Sequence, residues 1–177
     1  QYGVVLVFDE IVTGFRVDLG GAQRKYGVTP DLATFGKAMA NGMPISAIVG
    51  SCKIMKLMDD IFFSGTFGGE TLSLAAASRI IDKYKKEQVT KHFSEVGTYL
   101  LEQLNKLIDN KGLSAIFWTS GHPSWSYLHI KEQEKYSSFE IKTFFLQEIF
   151  KRGILTLGSH NISFSHTKED IDKLLKV

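Results

Sequence analysis

The chain opens on an unbroken apolar run, Gly3-Val4-Val5-Leu6-Val7-Phe8, that stops abruptly at Asp9-Glu10. Large apolar residues in succession, most of them Val, offer no polar face to solvent. The run therefore predicts a strand buried on both faces, as in a parallel sheet covered by helices. A carboxylate directly after such a strand lies at the carboxyl edge of the sheet, where open α/β folds bind ligands. Leu32-Ala33-Thr34-Phe35 reads as a second strand and ends at Gly36-Lys37. An acid and an amine at the ends of two strands of one sheet are placed to converge on one ligand. A buried strand also needs neighbours, and few strands follow. With Gln1 in place of an initiator, the expectation is the C-terminal portion of a longer protein.

Composition narrows the field without choosing within it. A chain of 177 residues with 44% hydrophobic residues buries a substantial core. The net charge of +2 gives no electrostatic argument for nucleic acid or a membrane surface. No window approaches the roughly 18 apolar residues of a membrane span. The single Cys52 excludes an internal disulfide and a cysteine zinc cluster, which suits a cytoplasmic setting; it is expected as a small packed residue. The five histidines show no metal-ligand spacing, so no metal is expected.

Downstream, a short helix is expected over Ala22 to Tyr26, a strand over Ile45 to Gly50 and a helix over Lys53 to Met58. A further strand is expected at Ile61 to Phe63. Leu72, Ala75, Ala76, Ile80 and Tyr84 lie at helical spacing, and Phe93, Val96, Leu100, Leu104 and Ile108 repeat it in a second long helix ended by Gly112. Strands are expected over Leu113 to Thr119, Trp125 to Ile130, Ile154 to Leu157 and Ile162 to Ser165. Helices fit Phe139 to Lys151 and Lys168 to Leu175. Trp118 and Trp125 are expected in the core of this second region, which has an α+β order.

Four blocks in this order resemble the class III, fold-type I pyridoxal-phosphate aminotransferases. They are Phe8-Asp9-Glu10-Ile11-Val12-Thr13-Gly14-Phe15-Arg16, the pair Tyr26 to Leu32 and Gly36 to Ile45, Ser64-Gly65-Thr66-Phe67, and His166-Thr167-Lys168-Glu169-Asp170-Ile171-Asp172. The last is similar to the C-terminal block of glutamate-1-semialdehyde aminomutases. The resemblance implies an α/β fold: part of a large domain with a mostly parallel sheet and flanking helices over 1–90, and a connecting helix with a small C-terminal α+β domain over 91–177. It implies pyridoxal 5'-phosphate as cofactor and a small amino, aldehyde or keto substrate. Lys37 matches the Schiff-base lysine, and Asp9 the acid that keeps the pyridine nitrogen protonated so that the ring accepts electrons. Ile11 matches a residue packed on the ring. Gly65 and Thr66 match a phosphate-contacting segment that this family supplies across a homodimer interface. Gly68-Gly69 departs from the family's commoner sequence there. Glu10 and Arg16 are expected to serve loop structure.

Two other readings compete. An apolar strand ending in Asp-Glu also describes a Walker B strand of a P-loop ATPase. That reading needs G-x-x-x-x-G-K-[ST], but Asp31 stands where the first Gly belongs and Ala38 follows Lys37. The second is a non-catalytic module of the same fold, against which the intact Asp9 and Lys37 argue. Aminotransferase and aminomutase chemistry use the same lysine and acid, and the residues leave that choice open.

Overall fold

The computed structural model describes residues 2–177, in two compact units that divide after Thr90. The first unit contains a three-stranded sheet of order β1 (Val7–Asp9), β2 (Leu32–Phe35) and β3 (Ala47–Gly50). β1 and β2 run parallel, with Asp9 opposite Thr34, whereas β2 and β3 are antiparallel. The parallel pair requires a crossover, and the intervening chain includes α1 (Gly21–Tyr26). After β3 come α2 (Cys52–Met55), a 3-10 turn over Lys56–Asp60, and the long helix α3 (Thr71–Glu87).

The opening run corrects one expectation. Only Val7–Asp9 join the ladder, and Val4, Val5, Leu6 and Val7 are exposed. Among the described residues β1 has a strand neighbour on one side alone, so it is an edge strand. Leu6 is still tied to β2: its N–H donates to Asp31 Oδ2 at 2.8 Å, and its carbonyl accepts from Asp31 and Leu32. Ile61 to Phe63 form no strand and are exposed. Cys52 is exposed at the first position of α2 rather than packed.

The core of this unit gathers around Phe15, Met39, Ala40 and Ala77, with Phe35, Ile45, Ile81 and Tyr84 against it. The Phe15 ring meets Phe35 and Tyr84 edge-on, at 6.1 and 5.8 Å between centroids. Such crossings suit the ring quadrupoles. This cluster fastens α3 and the segment after β2 to one another.

The second unit contains α4 (Val89–Asn110, its first two residues counted with the first unit), β4 (Phe117–His122), β5 (Trp125–Ile130), α5 (Ser138–Lys151), β6 (Ser159–Asn161) and α6 (Lys168–Lys176). The sheet is antiparallel with β5 in the centre. α4 buries Phe93, Val96, Leu100 and Ile108 at helical spacing. Gly97 lies so close to the Pro123 carbonyl that a Cβ would collide with it. α5 and α6 start with reciprocal capping boxes, Ser137 with Glu140 and Thr167 with Asp170.

Three apolar stretches expected as strands lie outside them: Leu113 to Ile116, Ile154 to Leu157 and Ile162 to Ser165. Backbone bonds from Leu128 N to the Gly158 carbonyl and from Ile162 N to the Ser124 carbonyl centre the third strand on Ser159–Asn161. Leu155 and Leu157, expected in a strand, are exposed before it. Leu113 to Ile116 instead form the turns that close α4, and β4 begins at Phe117. Trp118 is not core: it is 46% exposed and stacks on His129 across the β4–β5 pair, with 5.0 Å between the rings. Trp125 is half-buried and rests against Tyr127.

Candidate active site

The pairing of β1 with β2 brings two of the sequence-predicted residues to one edge. Asp9 ends β1 opposite Thr34, and Lys37 follows two residues after β2. Because the strands are parallel, both side chains belong to the carboxyl edge of the sheet. Asp9 Oδ1 accepts from the Ile11 N–H at 3.0 Å and from Thr34 Oγ1 at 3.3 Å. Among the described residues nothing donates to Oδ2, and the side chain is exposed. One oxygen is braced while the other is open to a donor. That arrangement fits a protonated ring nitrogen.

Lys37 is held by its backbone. Gly36 is buried and extended, and Lys37 then turns into the left-handed region at a φ of +40° to begin a 3-10 turn over Lys37–Met39. A residue with a Cβ in that region costs about 1–3 kcal/mol and persists where its surroundings over-determine it. Here they do: Met39 and Ala40 are buried in the core, the Met39 N–H donates to the Gly36 carbonyl, and the Asn41 N–H donates to that of Lys37. The Lys37 side chain is exposed, with no ion pair or hydrogen bond among the described residues. Ile11 lies beside the preceding Gly36, its Cγ2 3.7 Å from where a Cβ on that glycine would stand.

Glu10 and Arg16 face inward. Glu10 is 1% exposed, and its carboxylate accepts from the Ala22 and Gln23 N–H groups at 2.8 Å each and from the Thr13 hydroxyl. Burial pulls the Arg16 guanidinium below its ordinary pKa and pushes the Tyr84 hydroxyl above its own, and the two groups act on one another against those shifts. A Walker B glutamate would have to face water, which Glu10 does not. The P-loop reading loses its chemistry there.

Gly65 and Thr66 are elsewhere in the unit. They line an open cavity of about 490 Å³ with Pro44, Ser46, Phe63 and Glu70. Asp9, Ile11 and Lys37 do not line it, so the chain does not bring the two groups of predicted residues into one cavity. Glu70 caps α3 behind this loop, accepting from Leu72 N at 2.8 Å, Ser73 N at 2.7 Å and Ser73 Oγ at 2.5 Å. These hydrogen bonds hold its carboxyl below the ordinary carboxylate pKa. Sequence reasoning missed Thr34 as a partner of Asp9; only the strand register reveals it.

Residues 1–166 match the family aminotransferase class-III. The chain belongs to that family. It is 34% identical over 174 residues to the 3-aminobutyryl-CoA aminotransferase of Cloacimonas acidaminovorans, covering 97% of this chain and 42% of that one. It is 36% identical over 188 residues to the glutamate-1-semialdehyde 2,1-aminomutase of Thermosipho africanus, covering 98% and 44%. Among solved structures it is similar to the FumI protein of Sphingopyxis sp. MTA144 in its PLP internal aldimine form (TM-score 0.88, 27% identity, 98% of this chain and 41% of that one). The β-phenylalanine aminotransferase of Variovorax paradoxus is also similar (TM-score 0.82, 26% identity, 99% and 43%). The chain thus spans less than half the length of these relatives. No helix among the described residues is long and apolar enough to cross a membrane.

Proposed function

We propose that this chain carries the lysine and the pyridine-binding acid of a pyridoxal-phosphate enzyme that moves amino groups. The observation that carries the reading is the parallel pairing of β1 with β2. It sets an exposed, unpaired Lys37 and an Asp9 with one open oxygen at the carboxyl edge of adjacent strands. When bound, the cofactor supplies an aldehyde that takes up an amino group and a ring that accepts electrons.

The protein's own residues do the rest. Lys37 Nζ would hold the cofactor through its aldehyde and would serve as the base that carries a proton to and from the substrate carbon. Asp9 Oδ2 would accept from the protonated pyridine nitrogen and keep it cationic, and Ile11 would pack on the ring face. Gly65 and Thr66 offer backbone N–H groups and a hydroxyl to a phosphate. They line a cavity apart from Lys37, so we assign them to the site of a second copy in a homodimer. One cysteine in 177 residues suits the cytoplasm. The relatives include an aminotransferase and an aminomutase, and both reactions use these roles; the substrate is a small amino compound with its aldehyde or keto counterpart.

The test is chemical labelling of the full-length protein. Borohydride reduction of the cofactor-loaded enzyme is expected to leave the label on the peptide containing Lys37, and Lys37→Ala is expected to abolish both label and turnover. A label on another lysine removes Lys37 from its role.

A further inference from the structure

Of the carboxylates among the described residues, Glu10 alone is buried. Taking a carboxylate out of water is costly unless donors replace the water. Glu10 has three: Ala22 N–H on Oε2, Gln23 N–H on Oε1, and the Thr13 hydroxyl on Oε2. Gly21 makes room for them, since a Cβ there would collide with the carboxylate. The backbone of Glu10 is fastened as well. Its N–H donates to the Thr34 carbonyl at 2.9 Å, and its carbonyl accepts from the Gly14 N–H at 2.9 Å. One residue therefore ties the end of β1 to β2, to the following loop and to the start of α1.

Its two chain neighbours are Asp9 and Ile11. The Asp9 carboxylate is steered by the Ile11 N–H, so any displacement of the loop at Ile11 turns Asp9. We propose that Glu10 is a positioning residue for Asp9: its buried carboxylate locks the loop that begins at Ile11 and so sets the direction of the open Asp9 oxygen. The proposal rests on the reading of Asp9 as partner of the pyridine nitrogen. The chemistry requires a carboxylate. Donors converge on both of its oxygens, whereas a glutamine has one acceptor atom and would oppose an N–H group with its own.

The experiment uses the full-length enzyme loaded with cofactor labelled with 15N at the pyridine nitrogen, whose chemical shift reports protonation there. Asp9→Asn serves as reference and is expected to move the signal toward the unprotonated value. Glu10→Gln is expected to move it in the same direction by less, and to lower kcat about 10- to 100-fold with KM within about twofold, as misplacement of a group about 1 Å from its working position does. Thr13→Val removes only the hydroxyl donor and is expected to shift the signal in the same sense by a smaller amount. If Glu10→Gln lowers the melting temperature yet leaves the nitrogen signal and kcat per bound cofactor at wild-type values, Glu10 is a structural brace and the proposal fails while the Asp9 reading stands. If Asp9→Asn leaves the signal unmoved, the Asp9 reading fails and takes the proposal with it. If Glu10→Gln does not fold, Thr13→Val decides, and an unmoved signal in that variant overturns the proposal.

Discussion

Asp9 and Lys37 are held in opposite ways, and their expected sensitivities differ accordingly. Lys37 owes its place to a backbone turn pinned by the buried Met39 and Ala40, so its side chain is free to move while its Cα is not. Asp9 owes its direction to its own hydrogen bonds, from Ile11 N–H and Thr34 Oγ1. Asp9→Asn retains an oxygen for those donors and removes the charge. In the full-length enzyme that variant is expected to lose about 10²-fold or more in kcat, the scale of one lost electrostatic partner in a preorganised site, with little loss of thermal stability. A substrate Cα–H exchange rate close to wild type would leave Asp9 as a loop brace only. The position of both residues at strand ends was legible in the sequence, because strand ends are marked by where an apolar run stops. Thr34 and the full role of Glu10 were not. The first depends on the β1–β2 register, and the second on a chain that returns a dozen residues later to offer Ala22 and Gln23.

Among the elements, the helices were legible because each buries one stripe: α3, α4, α5 and α6 stand within a few residues of the periodic pattern. β2 and β5 match their expected limits as well. The failures share one cause. Apolar content suggests a strand, whereas the backbone partner decides it, so exposed Leu155 and Leu157 lie outside β6 and polar Ser159–Asn161 form it. β6 also carries a pH dependence. Burial of His160 lowers its pKa below the ordinary 6.5, and its Nδ1 meets Ser126 Oγ at 3.1 Å. Between the folded and unfolded pKa values the unfolded chain binds the proton that the folded chain refuses. This stability is therefore complete above about 6.5 and lost as pH falls toward the depressed folded value. The melting-temperature advantage of wild type over His160→Gln is expected to shrink between pH 7.5 and pH 5.5. An advantage that is constant or grows on acidification contradicts a buried neutral imidazole.

For the whole molecule, the surface of the first unit carries the argument. Val4 is 81% exposed, Phe62 96% and Phe63 68%, with Val5, Leu6, Val7 and Phe67 also exposed. Among the described residues β1 adds an unpaired strand edge. Apolar surface of this kind, beside a free edge, favours association. The chain spans 42% of the length of the aminotransferase it resembles. Within it, Lys37 and Asp9 share one sheet edge while the Gly65-Thr66 loop lines another cavity. A phosphate is anchored by several converging donors, and Lys37 does not line the cavity of Gly65 and Thr66. The 177-residue polypeptide expressed by itself is therefore expected to self-associate at micromolar concentration, to bind pyridoxal phosphate weakly and to lack transaminase activity. The full-length protein is expected to be a coloured dimer. Light scattering behind size-exclusion chromatography measures the first property, and absorbance titration with the cofactor, run on both polypeptides, measures the second. A monomeric short chain that binds cofactor stoichiometrically and turns over an amine donor would mean that Lys37 and Asp9 suffice without Gly65 and Thr66 of a second copy.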